Sequence, residues 1–263
     1  MPKLRVGHMP YLNSEVFYRT LPPDACDLVT MVPRAMAAAV ESGDLDAGPL
    51  PVAEVIRLGN ALRPLGDLCV ASRNTALSVL LFSSKPVEDL EGSRVAVTSH
   101  TATSIQLLRV LFADRWKLSH IKFVELDEPH DAQLIIGDDA LRLRLQGSGY
   151  PYSYDLGEQW RLLTGLPFVF ALWVVRRDAD AALAEALEQA LCASLTNGLQ
   201  RIDEIAAART TDYLDETKSA SYVRNFTYTL GDEERRGMAE FARRLGKLPV
   251  WRPSLPASMT LGA

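Results

Sequence analysis

The chain has 263 residues, 48% of them hydrophobic and 23% charged, with a formal net charge of −5, the balance of an ordinary globular protein. That length is generous for one compact core and comfortable for two small lobes. The acidic balance, with no concentrated basic patch, excludes a nucleic-acid surface. No stretch reaches the roughly 18–20 apolar residues of a membrane span, and an anion would be held by local donors rather than by an overall positive field.

In chain order, residues 4–9 read as a short buried strand running into the loop 10–13, and residues 27–32 as a second strand. Pro33 sits where a helix can begin, and the alanine-rich stretch 34–42 is helical and ends at Gly43. Residues 46–50 form a third strand, stopped by Pro49 and Pro51 and followed by a helix through Arg57. Strand and helix alternating at this spacing predict parallel pairing with right-handed crossovers. Residues 65–72 and 76–83 are two more apolar runs, the second without helical period and suited to a fully buried strand. Residues 85–92 make a polar turn leaving the first lobe. The pattern then restarts with a strand at 94–98, a helix at 103–112, and strands at 121–126 and 133–136, the last ending in Gly137-Asp138-Asp139. Residues 168–176 (FVFALWVVR) are one long apolar strand, after which the chain reads as helical. The expected fold class is α/β, with residues 1–83 and 171–263 in one discontinuous lobe, residues 84–170 in a second, and each lobe a mixed sheet flanked by helices.

In open parallel sheets a ligand sits beyond the carboxyl ends of the strands. That rule selects Tyr11-Leu12-Asn13, Gly48-Pro49-Leu50-Pro51, the segment 98–104 (TSHTATS) and Ile136-Gly137-Asp138, with Ser78 on the connecting strand where the lobes face one another. Five of the seven residues in TSHTATS are Ser or Thr, and the segment opens a helix. A helix N-terminus ringed by hydroxyls binds a carboxylate or phosphate without arginine; the other reading is that Thr101 or Thr103 only caps the helix. By residue type alone, Asn13 is a turn residue and Ser78 a buried hydroxyl bonded to backbone. His8, His100, His120 and His130 form no metal-ligand pattern, though His8 and His100 fall near strand ends. Asp138 and Asp139 read as first-turn acids of a helix, and Phe168 as core or lid. Cys26, Cys69 and Cys192 are odd in number and far apart, which suits small buried residues in a reducing compartment rather than disulfides or zinc ligands. The N-terminus has no apolar run of signal-peptide length, so a cytoplasmic location is expected. Neither a phosphate-binding loop, a dinucleotide glycine fingerprint nor a nucleophile elbow occurs.

The segments VGHMPYLN (6–13), SGDLDAGPLPVAE (42–54), LSVLLFS (77–83), RVAVTSHTATS (94–104), LIIGDDAL (134–141) and DLGEQWRLLTGLPFVFALWVVRR (155–177) resemble, in order and spacing, the chorismate dehydratases of the futalosine route to menaquinone. The resemblance implies a two-lobed fold of the type II periplasmic-binding-protein kind with the ligand cleft between lobes. It implies chorismate as substrate, 3-[(1-carboxyvinyl)oxy]benzoate and water as products, and neither metal nor organic cofactor. It further implies that Asn13 and Ser78 stand closest to the chemistry and that the loop 99–104, through Ser99, Thr101, Ala102, Thr103 and Ser104, receives a carboxylate. Tyr11, Pro49, Leu50, Ile136, Gly137, Asp138 and Phe168 complete the expected substrate contacts. Two other readings stand beside it. One is a non-catalytic receptor for a small carboxylate, because fold alone does not decide function. The other is a 1,4-dihydroxy-6-naphthoate synthase, a sister family that carries a His-Glu-Gly element near the position of Gly137-Asp138-Asp139, with the His as base.

Overall fold

The computed structural model describes residues 3–249 and Trp251. The first half follows the expected alternation: β1 (Arg5–His8), α1 (Glu15–Tyr18), β2 (Asp27–Thr30), α2 (Pro33–Ser42), β3 (Ala47–Pro51), α3 (Val52–Leu58), then the long β4 (Leu62–Ser72). Pro33 occupies the first turn of α2, where its missing N–H leaves no bond unmade. Buried Met36 on this helix lies so close to β1 and β3 that a Cβ on Gly7 or Gly48 would come within 2.5 or 2.9 Å of its sulfur. The two glycines are what let α2 lie flat on the sheet.

The second sheet takes β5 (Val79–Ser83), β6 (Arg94–Val97), α4 (Thr103–Leu111), β7 (Lys122–Val124), β8 (Ala132–Ile136), α5 (Gly137–Gln146) and β9 (Tyr152–Asp155). After α6 (Leu156–Thr164) the chain returns through β10 (Phe168–Arg176) to the first sheet. It ends in α7 (Ala181–Gln200), α8 (Ile202–Ala208), α9 (Glu216–Arg224), β11 (Phe226–Thr229) and α10 (Asp232–Leu245). The strand orders are β11-β4-β10-β3-β1-β2 and β7-β6-β8-β5-β9. In each sheet a parallel trio, β2-β1-β3 or β7-β6-β8, meets antiparallel strands. Both trios point their carboxyl ends into one cleft.

Three sequence expectations need correction. The lobe boundary expected at 83/84 falls too late, because β5 pairs along its whole length with β8 and β9 and so belongs to the second sheet. The boundary expected at 170/171 would cut β10, which pairs with β4 from Phe168 onward. The tail is not wholly helical: Phe226–Thr229 covers the outer edge of β4. Its Phe-Thr-Tyr-Thr alternation is a strand signal that four residues between helices make easy to overlook. All three cysteines are free, Cys26 and Cys69 buried but Cys192 exposed on α7. Among the described residues no helix is long and apolar enough to cross a membrane, and no cluster of three or more His, Cys, Asp or Glu could hold a metal ion.

Candidate active site

A cleft with about 590 Å³ of empty space, part of it open to solvent, is lined from both sheets, a size that suits a small molecule. From the first sheet come Met9, Tyr11, Asn13 and Ser14 after β1, Pro33 at the start of α2, Pro51 at the end of β3, and Val70, Phe170, Ala171 and Phe226 on the strands. From the second come Ser78 and Val79, the run Thr101-Ala102-Thr103-Ser104, and Ile136-Gly137. Among the described residues, Tyr11 is the only ionisable side chain in this lining, and none of them brings a carboxylate, imidazole, ammonium or guanidinium to it.

The loop after β1 turns through a 3-10 helix at Leu12–Ser14, with the Ser14 amide donating to the Tyr11 carbonyl at 2.9 Å. The Tyr11 ring rests on Gly137, where a Cβ would fall 2.7 Å from Cε1 and where φ is +68°. Only glycine satisfies both conditions. The Tyr11 hydroxyl is buried without a hydrogen-bond partner among the described residues. Burial, reinforced by the nearby Asp138 and Asp139 carboxylates, pushes its pKa up to about 12, so it stays a donor at neutral pH.

The hydroxyl-rich loop divides its work. Thr101 Oγ1 accepts from the Ser104 amide at 3.2 Å and so caps α4. Thr103 Oγ1 accepts from the Ala53 amide at 3.1 Å, linking α4 to the start of α3 across the cleft. Among the described residues, the amides of Ala102 and Thr103 and the Ser104 hydroxyl have no partner. These three donors at a helix N-terminus are the groups an anion would meet. Capping and anion binding therefore fall to different atoms of one loop.

Ser78 sits where the chain passes between sheets, and its surroundings are tightly specified. The buried Asp155 carboxylate accepts from the amides of Ala76 and Leu77 at 2.9 and 2.7 Å, and from Gly157 and Glu158 at the start of α6 at 2.9 and 3.2 Å. Leu77 is held in the left-handed region at φ +64°, a conformation that costs a residue with a Cβ about 1–2 kcal/mol. One carboxylate thus stabilises a strained turn and caps a helix. Ser78, next along the chain, brings its hydroxyl 2.7 Å from the Tyr222 hydroxyl of α9 and 3.3 Å from the Ala76 carbonyl.

Of the expected contacts, Tyr11, Asn13, Ser78, Thr101, Ala102, Thr103, Ser104, Ile136 and Gly137 meet at the cleft, and five do not. Pro49 and Leu50 lie inside β3, opposite Trp173 and Leu172; the strand runs one residue further than expected, and Pro51 takes their place. Ser99 is exposed on the outer turn of its loop. Asp138 turns away to accept from the Leu12 amide at 3.4 Å and from Arg209 at 3.1 Å. Its pKa is raised by burial, against the opposing pull of the Leu12 amide and Arg209. Phe168 packs between Trp160 and Phe241 with ring centroids 5.4 and 4.9 Å away, wholly in the core. A β-bulge between Val169 and Ala171 breaks the alternation there, so Phe170 and Ala171 both reach the cleft. His8 instead bonds Thr30 at 3.0 Å and stacks edge-on against Tyr18, and burial lowers its pKa. His100 engages through its carbonyl, which accepts from the Arg34 amide. Sequence reasoning missed Ser14, Phe226 and Tyr222; nothing local marks Tyr222, which meets Ser78 only through the fold.

Over 255 residues, 90% of this chain and 93% of the relative, the sequence is 28% identical to the chorismate dehydratase of Thermus thermophilus. It is 29% identical to the 1,4-dihydroxy-6-naphtoate synthase of the same organism, over 70% of this chain and 66% of that one. Among solved structures, the periplasmic aliphatic sulphonate binding protein of Escherichia coli superposes with a TM-score of 0.58 at 19% identity, covering 97% of this chain and 96% of that one. That likeness establishes a periplasmic-binding-protein-like fold, two helix-flanked sheets facing a cleft. A family model described as menaquinone biosynthesis matches residues 4–247, nearly all of the described structure, and the chain belongs to that family.

Proposed function

We propose that the protein is a chorismate dehydratase, a carbon–oxygen hydro-lyase that converts chorismate to 3-[(1-carboxyvinyl)oxy]benzoate and water. The observation that carries this reading is the lining of the cleft, whose described residues offer hydroxyls, an amide side chain and free backbone N–H groups, but no side-chain base. Chorismate suits such a site because it brings its own carboxylates, and because loss of water aromatises its ring. The C3–H pair becomes the new ring π bond while the C4–O bond breaks with its electrons. The C3 proton passes to the enolpyruvyl carboxylate and from there to the departing hydroxide, giving water.

The protein's share is then positioning and hydrogen bonding in a space that the closing lobes screen from solvent. Asn13 and Ser78 face the reacting ring and the leaving hydroxyl. Ser104 and the amides of Ala102 and Thr103 take a carboxylate. Tyr11 donates its otherwise unpaired phenol as the two lobes, one around each sheet, close on the substrate. The Thermus naphtoate synthase makes the corresponding activity the alternative; against it, none of the described residues lining the cleft brings an imidazole to serve as base.

Incubating the purified protein with chorismate and following the product by ultraviolet absorbance and chromatography tests the reading. The expected result is stoichiometric formation of the aromatic enol ether. Binding of chorismate without turnover would leave a receptor and overturn it.

A further inference from the structure

The hydrogen bond between Ser78 and Tyr222 has a direction that the surrounding atoms decide. Tyr222 is 2% exposed, and its hydroxyl has one partner among the described residues, Ser78 Oγ at 2.7 Å. If Ser78 donated in that bond, the Tyr222 proton would be buried with no acceptor, which costs about 1–3 kcal/mol. If Tyr222 donates, every group is satisfied, because the Ser78 proton still reaches the Ala76 carbonyl, a pure acceptor, at 3.3 Å. That second bond is long and weak. Rotation about Cβ–Oγ releases the proton into the cleft that Ser78 lines, while the Tyr222 bond stays in place.

We infer that Tyr222 is a positioning residue that donates to Ser78 Oγ, making Ser78 an obligate hydrogen-bond donor to the hydroxyl leaving C4. The inference rests on the dehydratase reading and adds to it a residue of the helical tail that touches no substrate. A serine already accepting a hydrogen bond is a stronger donor, since chains of hydrogen bonds polarise one another, and departing hydroxide needs a donor rather than an acceptor. Burial raises the Tyr222 pKa well above its ordinary value, so the phenol keeps the proton it donates.

The test is a double-mutant cycle on chorismate turnover, with a melting curve for each protein. Tyr222→Phe keeps the ring and removes the donor; kcat is expected to fall about tenfold with KM within about twofold of the parent. In the Ser78→Ala background the phenol has nothing to act through, so adding Tyr222→Phe should leave kcat within about twofold. Additive losses would overturn the inference, as would a Tyr222→Phe protein that melts early yet turns over at the parent kcat. Should the single variant not fold, the Ser78→Ala background carries the test alone, and a further tenfold drop there overturns it. A parent protein inert toward chorismate defeats the dehydratase reading and this inference together, whereas an active parent with an unaffected Tyr222→Phe defeats only the inference.

Discussion

Asn13 and Ser78 are short polar side chains that most proteins would use for turns or for satisfying backbone, and in the proposed dehydratase their setting is what separates them from that use. Ser78 is held by a strained turn and a buried phenol, and Asn13 sits half-buried in the lining, its Oδ1 accepting from the Ser14 hydroxyl at 3.4 Å and its NH₂ without a partner among the described residues. Groups fixed in this way stabilise a transition state better than a ground state, because no reorganisation is needed as charge develops on the leaving oxygen. Asn13→Ala and Ser78→Ala should therefore each lower kcat by ~10²–10³ while KM changes little. Steady-state kinetics beside a melting curve check this. Variants that melt early but keep the parent kcat would move the chemistry elsewhere in the cleft.

Asp155 joins two elements, the crossing segment before β5 and the first turn of α6, through four backbone N–H bonds. Three of those amides bond Oδ1 and only that of Leu77 bonds Oδ2, so in Asp155→Asn, with the remaining oxygen at the Oδ1 position, the NH₂ group faces the Leu77 amide and leaves it without its partner in a buried place. The expected loss is about 1–3 kcal/mol in urea unfolding, with a fall in kcat as the Leu77 turn relaxes and Ser78 loses its aim. Unchanged kcat in the folded variant would mean that the turn holds without its carboxylate. Elements differ in how readable they were. β10 carries nine consecutive residues with hardly a polar interruption and is found at the bounds its sequence suggests, while β11 has four residues and becomes a strand because β4 offers it an edge. The site divides the same way. The strand-end rule reaches Tyr11, Asn13, the 101–104 run and Ile136-Gly137, because those positions follow from local pattern plus sheet topology. It cannot reach Tyr222, 144 residues from Ser78, or foresee that a bulge would exchange Phe168 for Phe170.

At the scale of the molecule, the two sheets are tied across the mouth of the cleft by Arg209, which follows α8. Its guanidinium donates to Glu15 in α1 and to the Pro10 carbonyl on one side, and to Asp138 at the start of α5 on the other. Asp138 also accepts from the Leu12 amide, so the clasp fixes the Tyr11–Asn13 loop against the second sheet. Arg209 and Asp138 are both one-third exposed, which limits the clasp to about 1 kcal/mol of stability at neutral pH. Its effect on binding should be of similar size, a several-fold rise in KM for Arg209→Ala, because the loop then closes on substrate without its tie. The pH dependence is more diagnostic. Burial raises the Asp138 pKa above its ordinary value, so around that value and just above it the folded state holds more protons than the unfolded one. Stability contributed by this group accordingly falls as pH rises through that window. Arg209 opposes the shift; without it the Asp138 pKa climbs further and the window of falling stability widens toward neutrality. Melting temperatures of parent and Arg209→Ala should lie close together near pH 4 and separate as the pH approaches 7, the variant being the less stable. Replacing Asp138 by Asn in the same background should remove most of that separation. A constant gap between parent and variant across the range would show that Arg209 acts through a partner that does not titrate, the Pro10 carbonyl.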